Sequence, residues 1–230
     1  MNLIQKGHRH THRGIIGIES AIVLIAFVIV AAALAFVVLN MGFSTTQKAK
    51  TSIIAAVEEA GSSLEVAGKI TAIGDVANNV LNATTIPIKI VSGGASSNID
   101  GNFTSIKIIT SDIEYDNVYT YGPLFVGTYQ NATVAWEVAA NNGWICATCN
   151  PYNGTNNPVQ TIAIIYFTVN QNDNTILESG EHAQLAVAFA QNDRPASLDY
   201  VAVEISTPKG SPLTVSRDVP NITNGIVDLG

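Results

Sequence analysis

The main pattern along the chain is an apolar run from Ile15 to Leu39, in which Glu19 is the one charged residue. Nearly every other side chain is Ile, Val, Leu, Ala or Phe, and no Pro interrupts the run. At about 1.5 Å rise per residue, a helix of this length covers the roughly 30 Å hydrocarbon core of a bilayer. Backbone groups in lipid must be hydrogen-bonded internally, which favours a helix. The run therefore predicts a membrane-competent helix.

An amphipathic pattern follows the apolar run after a change of polarity at residues 44–50. Apolar residues then recur at spacings of three and four, at Ile53, Ile54, Val57, Ala60, Leu64 and Ala67. This spacing predicts one long helix over residues 15–68, with Gly42 as a soft point. Gly61-Ser62-Ser63 is either a bend in this helix or its end, because Gly costs about 1 kcal/mol in a helix interior.

Beyond residue 70 the helical period is replaced by short apolar runs between spacers rich in Gly, Asn and Pro. Several runs alternate between apolar and polar positions, which is typical of strands. They lie at Thr85–Val91, Phe103–Thr110, Thr128–Val138, Thr161–Val169, Ala183–Ala190, Tyr200–Thr207 and Gly225–Leu229. The pattern predicts an α+β chain, in which the long hydrophobic helix precedes an antiparallel β-sandwich or barrel at residues 69–230.

The segment before the apolar run, residues 1–14, is polar and basic. A basic segment ahead of an apolar helix is retained on the cytoplasmic side. An ordinary secretory signal has its small-residue cleavage site behind the apolar run, where this chain has none. The signal-like junction lies instead at Arg13-Gly14, before Ile15. The basic residues and histidines of the segment are Lys6, Arg9, Arg13, His8, His10 and His12.

Composition narrows the class of protein further. The 230 residues suffice for the helix and one globular domain. Without residues 1–14, eight basic residues would face 18 acidic ones, which argues against nucleic acid as a partner. Only 13% of the residues are charged, whereas Asn, Thr, Ser and Gly are abundant. Such a weakly ionic surface is expected of an exported protein that carries sugar.

The order of a basic residue, Gly14, an apolar helix and an acid at Glu19 resembles the class III signal of prepilins and archaeal preflagellins. The resemblance implies that a membrane peptidase cuts between Gly14 and Ile15 and removes residues 1–14. The helix would then stay on the mature subunit, first as a membrane anchor and later as the core of a filament.

Longer segments resemble the archaellins, the archaeal flagellins. They are Gly17–Gly42, Thr45–Lys48, Ser63–Gly68, Asn172–Glu181, Pro208–Val215, and Arg217, Pro220 and Val227–Leu229. The resemblance implies an immunoglobulin-like β-domain and an extracellular role as the subunit of the archaellum, a rotating filament. The implied partners are copies of the chain itself in a helical homopolymer, the preflagellin peptidase, the archaellum assembly machinery and, before assembly, the membrane. The likeness thins between about residues 92 and 160.

Two other functions fit the same pattern. An archaeal type IV adhesive pilin would share the processing signal but form static filaments. A membrane-anchored ligand-binding ectodomain would keep residues 1–14 and would not polymerise.

Glu19 needs a partner or a favourable field, because a carboxylate in an apolar stretch is costly. Cleavage after Gly14 would create an α-amine on Ile15, and type IV pilins imply a pairing of that amine with the acid during assembly. The helix N-terminus alone also favours an acid there, by roughly 0.3–1 kcal/mol. Both roles remain open.

Five Asn-x-Thr sequons are candidate N-glycan sites, and none has Pro in the middle position. About three would arise by chance in a chain this rich in Asn, Ser and Thr. Several are expected to be glycosylated, above all Asn102 and Asn153, which sit in or beside predicted loops. The sequons are at Asn82, Asn102, Asn131, Asn153 and Asn221.

Cys146 and Cys149 form a single C-x-x-C pair. Structural zinc needs four ligands, of which this pair supplies two. A thioredoxin-like motif should open a helix, whereas this pair runs into the turn sequence Asn150–Gly154. Outside the cell a small disulfide-closed loop is favoured, with two free thiols as the alternative.

The segment Asn170–Glu181 is rich in oxygen ligands, including Asp173. Calcium favours such side chains, but the spacing is not that of an EF-hand, and a polar hairpin connection is preferred. Without the leader, His182 is the one histidine left, and no G-x-S-x-G or H-E-x-x-H motif is present. We therefore expect no catalytic residues, no metal and no cofactor.

Overall fold

A computed structural model describes residues 13–61, 64–119, 125–154 and 156–230. The features predicted for residues 1–12 lie outside the described residues. The chain divides into two compact units, of which the first ends at Ile54 and the second runs from Ala55 to Gly230. The boundary falls within the first helix.

Helix α1 runs for 49 residues, from Arg13 to Gly61, which corresponds to about 70 Å at 1.5 Å per residue. It continues through Gly42 without a break. Gly61 is its end, and a strand begins at Leu64, which pairs with Ile90 instead of continuing the helical stripe. The helix predicted over residues 15–68 is therefore too long at its C-terminal end.

The described residues after α1 form thirteen strands and a second helix. The strands are β1 Leu64–Val66, β2 Thr71–Asp75, β3 Val80–Ile90, β4 Ser97–Asn98, β5 Ser105–Thr110, β6 Glu114–Tyr115, β7 Phe125–Thr128, β8 Ile162–Val169, β9 Ile176–Leu177, β10 His182–Ala188, β11 Tyr200–Ser206, β12 Leu213–Asp218 and β13 Ile226–Asp228. Helix α2, Ala132–Asn141, lies between β7 and β8.

The strands form two main sheets and one small ribbon. The larger sheet has the order β13-β2-β3-β10-β8-β7, with β1 also paired to β3. The second sheet has the order β12-β11-β5-β6, and β4 pairs with β9. All pairs are antiparallel except that of β7 with β8, which is parallel. The predicted helix followed by a β-sandwich is confirmed, with one parallel pair in an otherwise antiparallel arrangement.

Strand β8 lies where the larger sheet is covered on both faces. Ala163, Ile165 and Phe167 belong to a core shared with the second sheet. Ile164 and Tyr166, which alternate with them, belong to a separate apolar cluster on the other face. A strand covered on both faces reads as a continuous apolar run, and β8 does so. The shared core also includes Ile86, Ile88, Ile106, Ile108, Leu185, Val187, Val203 and Ile205.

The cover on the other face is α2, so the strand predicted over Thr128–Val138 is wrong beyond its first residue. Asn131 is the N-cap of α2, and its Oδ1 accepts a hydrogen bond from the Val134 N–H at 2.9 Å. The alternation from Thr133 to Val138 favoured a strand, but a capping Asn followed by apolar residues at helical spacing is the stronger signal. The buried face of α2 consists of Ala132, Ala135, Trp136 and Ala139.

Strand β13 forms one edge of the larger sheet, where it pairs with β2. Ile226 pairs with Ile73, and the Leu229 N–H donates to the Ile70 carbonyl at 2.9 Å. Lys69 and Asp228 form an exposed ion pair at 2.5 Å. The end of the described chain is thus hydrogen-bonded to the segment that opens the β-domain, residues 64–230.

Candidate assembly helix and surface sites

Helix α1 presents a large apolar surface. Every described side chain from residue 17 to residue 57 is exposed, including Phe27 at 72% and Phe36 at 71%. Among the described residues, α1 is the one helix that is long and apolar enough to cross a membrane, and its candidate membrane span is Gly17–Val57. Large exposed apolar surfaces mark contact with lipid or with other protein surfaces.

Three threonine hydroxyls in the second half of α1 are hydrogen-bonded within the helix. The hydroxyls of Thr45 and Thr46 donate to the carbonyls four residues earlier at 2.8 Å, and that of Thr51 does so at 2.6 Å. Back-bonding of this kind lets threonine sit in apolar surroundings without an external partner. These residues therefore do not interrupt the apolar character of the helix.

Glu19 is exposed. It lies in the second turn of α1, since the described helix begins at Arg13. In a chain that began at Ile15 it would be the fifth residue, at the edge of the first turn. The pairing with the Ile15 amine and the cleavage after Gly14 both stay predictions.

Four of the five sequon asparagines are exposed: Asn102, Asn131, Asn153 and Asn221. Asn82 differs, since it lies half-buried within β3. Its Oδ1 accepts hydrogen bonds from Arg194 Nη1 at 3.1 Å and from Asn157 Nδ2 at 3.3 Å. Its half-buried position in a strand leaves little room for a sugar on Nδ2, whereas the other four asparagines are exposed in the folded chain.

Arg194 also holds Asp75 at the end of β2. The guanidinium Nη1 lies 3.2 Å from Asp75 Oδ2, and the two side chains are only 12% and 22% exposed. Asn78 Nδ2 donates to the same carboxylate oxygen at 2.6 Å, and the backbone N–H of Asn78 donates to Oδ1. These hydrogen bonds, that from the Asn78 side chain above all, lower the pKa of the Asp75 carboxyl.

Cys146 and Cys149 face each other in a turn after α2. Their Cα atoms are 5.4 Å apart, a usual separation for a disulfide. Trp136 ties this turn to α2, because its buried Nε1–H donates to the Cys149 carbonyl at 2.7 Å. The predicted disulfide fits this geometry and remains a prediction.

Tyr152 fastens the same region to the sheet beneath it. Its hydroxyl lies 3.0 Å from the Thr84 carbonyl and 3.3 Å from the Val187 carbonyl, on the neighbouring strands β3 and β10. Burial raises the pKa of Tyr152, so the hydroxyl keeps its proton and acts as a donor. Its ring contacts Trp136 with ring centroids 5.6 Å apart. The spacing of polar and apolar residues did not reveal this contact.

The oxygen-rich segment Asn170–Glu181 forms the connection between β8 and β10. Glu181 is 1% exposed, and its carboxylate accepts the N–H of Gln171 at 2.8 Å and that of Glu178 at 3.0 Å. The Asn170 side chain accepts the Asp173 N–H at 2.9 Å. The oxygens thus fix the turns of the connection, as the hairpin interpretation expects. Among the described residues no three His, Cys, Asp or Glu side chains come together as a metal site.

None of the sites among the described residues forms a catalytic constellation with His182, the histidine of the described chain. His182 is exposed at the start of β10. His8, His10 and His12 lie outside the described residues.

Known proteins resemble the chain over nearly its whole length. A family model for archaeal-type flagellins matches residues 14–217. A probable flagellin of Aeropyrum pernix is 35% identical over 222 residues, which is 95% of this chain and 98% of that protein. A second probable flagellin, from Archaeoglobus fulgidus, is 28% identical over 218 residues and 92% of each chain.

Two solved structures share the fold. A chain of the archaeal flagellum of Methanospirillum hungatei aligns with a TM-score of 0.58 at 20% identity, covering 92% of this chain and 98% of that one. A crystal structure of an archaeal flagellin from Methanocaldococcus jannaschii aligns with a TM-score of 0.55 at 14% identity, covering 73% of this chain and 96% of that one.

Proposed function

Because the chain belongs to the archaeal-type flagellin family, we propose that it is the repeating subunit of an archaellum filament on the cell surface, where it serves swimming motility. The supporting observation is the exposed apolar surface of α1. Burying one Val, Leu, Ile or Phe side chain is worth about 1.5–3 kcal/mol, so a helix with this surface is stable only in lipid or against other helices.

The two environments correspond to two stages of the subunit. The precursor sits in the membrane through α1, and a preflagellin peptidase removes residues 1–14. The archaellum assembly machinery then transfers the subunit to a helical homopolymer, in which copies of α1 cover one another.

The β-domain forms the outer wall of this filament. The two apolar clusters of its described residues are formed by side chains from Leu64 onward. The exposed sequons of this domain carry N-glycans, which supply hydration to a surface with few charges.

The proposal is tested by expressing the chain in an archaeal host that lacks its own flagellins. We expect surface filaments made of this chain, visible by electron microscopy, and recovery of swimming. Leu34, 62% exposed in the middle of α1, offers a matched pair of variants. Leu34→Asp should abolish filaments because it adds a charge to the apolar surface, whereas Leu34→Met should assemble normally.

A fragment of residues 55–230, here called the β-domain fragment, provides a second control. It should be soluble, β-rich and monomeric, and should form no filaments. Filaments from this fragment would contradict the role of α1. Filaments of the full chain that stay static and mediate attachment would identify an adhesive pilus instead.

A further inference from the structure

We propose that the groove between α2 and the Cys146–Cys149 turn is a carbohydrate-binding groove, and that its occupant is the glycan linked to Asn153 of the same chain. This inference rests on the proposed function in one respect, since an exported filament subunit meets the glycosylation machinery. It adds a binding site for the glycan to the glycosylation sequon at Asn153.

The groove is open to solvent and has two walls and a floor. It has a volume of about 330 Å³, at the lower end of the roughly 300–1,000 Å³ usual for ligand pockets. Its lining includes Asn153 itself, on the rim. Glu137, Ala140 and Asn141 of α2 form one wall, Ala147 and Thr148 form the other, and Cys149 and Asn150 form the buried floor.

The chemistry of the lining suits a sugar. It offers the carboxylate of Glu137, the side-chain amide of Asn141 and the hydroxyl of Thr148, between the small apolar faces of Ala140 and Ala147. A sugar ring presents hydroxyls that donate and accept hydrogen bonds, as well as C–H faces that contact small apolar side chains. A bound cation would need several oxygen ligands around one point, and a single carboxylate on an open wall does not provide them.

The walls are fixed before a ligand arrives. Trp136 holds the turn against α2 through its 2.7 Å hydrogen bond to the Cys149 carbonyl. Asn150 Nδ2 donates to the Thr133 carbonyl at 3.3 Å, and Asn150 Oδ1 accepts the Tyr152 N–H at 3.1 Å. A preformed groove loses less conformational entropy on binding, so weak polar contacts suffice.

The covalent link to Asn153 lowers the entropic cost of binding, because it keeps the sugar close to the groove. Asn153 lies exposed in the turn Asn150–Gly154 and begins the sequon Asn153-Gly154-Thr155, whose Thr155 lies outside the described residues. The link forms between Nδ2 and the anomeric carbon of a phosphate-activated sugar donor, with the phosphate carrier leaving and one Nδ2 proton released. A short tether gives an effective concentration on the order of mM, which matches the weak affinity of an open groove.

The test compares amide hydrogen exchange in filaments of the wild type and of Thr155→Ala, which removes the sequon but leaves every groove residue in place. The wild type should exchange the amides of residues 137–150 about two- to tenfold more slowly, as expected when the tethered ligand is present at or a few times above its dissociation constant. Thr223→Ala is the control, because it removes the exposed sequon at Asn221 and should leave exchange in the groove unchanged.

A third variant separates binding from modification. Glu137→Ala should keep the sugar mass on the Asn153 peptide but lose the protection of residues 137–150. The inference is overturned if the wild-type Asn153 peptide carries no sugar, or if it carries sugar and exchanges as fast as in Thr155→Ala. All these variants should still form filaments, so a failure here is distinct from a failure of the filament function.

Discussion

The indole of Trp136 and the carbonyl of Cys149 are joined by a buried hydrogen bond of 2.7 Å, which makes α2 and the cysteine turn one structural unit. Trp136 is fully buried at 0% exposure. A buried carbonyl that loses its donor costs about 1–3 kcal/mol.

The first prediction follows from this bond. Trp136→Phe removes the donor and leaves a small cavity in place of the larger indole, so the β-domain fragment should lose at least about 1–3 kcal/mol of its free energy of unfolding. Urea denaturation measures the loss. Val134→Ala, at a 40% exposed position of the same helix, is the control and should change stability far less.

The second prediction concerns Cys146 and Cys149 themselves. If they are linked, an alkylating reagent should modify neither thiol in unfolded filament protein until a reductant is added. Mass spectrometry of the peptide that contains both residues gives the answer. Two alkylated thiols without reductant would refute the bond.

The third prediction is a pH dependence at Asp75. Because its pKa is lowered in the folded state, the ionised Asp75 carboxylate stabilises the folded chain. This stabilisation is fully present above the pKa of the unfolded chain, near 3.8, and is lost as the pH falls through the lower pKa of the folded chain. Asp75→Asn should therefore destabilise the β-domain fragment at pH 7 by about 1–2 kcal/mol, because Arg194 and Asn78 lose a charged acceptor.

The difference between wild type and Asp75→Asn should stay constant above about pH 5 and shrink as the pH falls below 4. Thermal unfolding at several pH values measures it. Asp112→Asn, on the exposed turn after β5, is the matched control. A difference that remained unchanged down to pH 2 would rule out this role for the Asp75 carboxylate.

The fourth prediction uses the backbone at Leu198. This residue has a φ of 72°, in the left-handed region, and its side chain is 85% exposed. That conformation costs an L-residue about 1–2 kcal/mol, and a glycine would relieve this strain. Glycine also raises the conformational entropy of the unfolded chain, which offsets roughly half of the gain. Leu198→Gly should stabilise the β-domain fragment by about 0.5–1 kcal/mol, measured by urea denaturation. Leu198→Ala keeps the strain and should be nearly neutral.

The fifth prediction concerns the start of the mature chain. Mass spectrometry of purified filaments should find an N-terminal peptide that begins at Ile15, and no peptide that contains the leader histidines.

If Glu19 pairs with the new α-amine, Glu19→Gln should slow filament assembly while membrane insertion stays intact. Normal filaments from this variant would leave Glu19 with the role of a helix-end acid alone.

The sequence predicted the elements whose signal is long or strongly repeated. Helix α1 follows from uninterrupted hydropathy, and strands such as β8 and β11 follow from apolar runs of the right length. Strand β12 was missed because just one of its six residues, Val215, is buried, so that its polar pattern resembles a loop. Helix α2 was missed because six alternating residues outweighed the spacing of its four buried ones.

The groove could not be predicted from the sequence, although its lining lies within residues 137–153. Glu137 lies on a helix that was read as a strand, so that no face of it could be assigned. Asn153 was identified as an exposed sequon, but its position beside α2 depends on the bonds of Trp136 and Tyr152. Contacts of this kind come from packing and have no local periodicity.

The pairing of β13 with β2 sets the order in which the chain can fold. Lys69 and Asp228, its outermost ion pair, are 159 residues apart in sequence. Contacts of such long range form late, because the entropy of closing the loop must be lost before they are made. The sheet edge at β2 therefore stays open until β13 has been synthesised. An unpaired edge invites association with other chains, so the chain is most exposed to misassembly between the synthesis of β2 and that of β13.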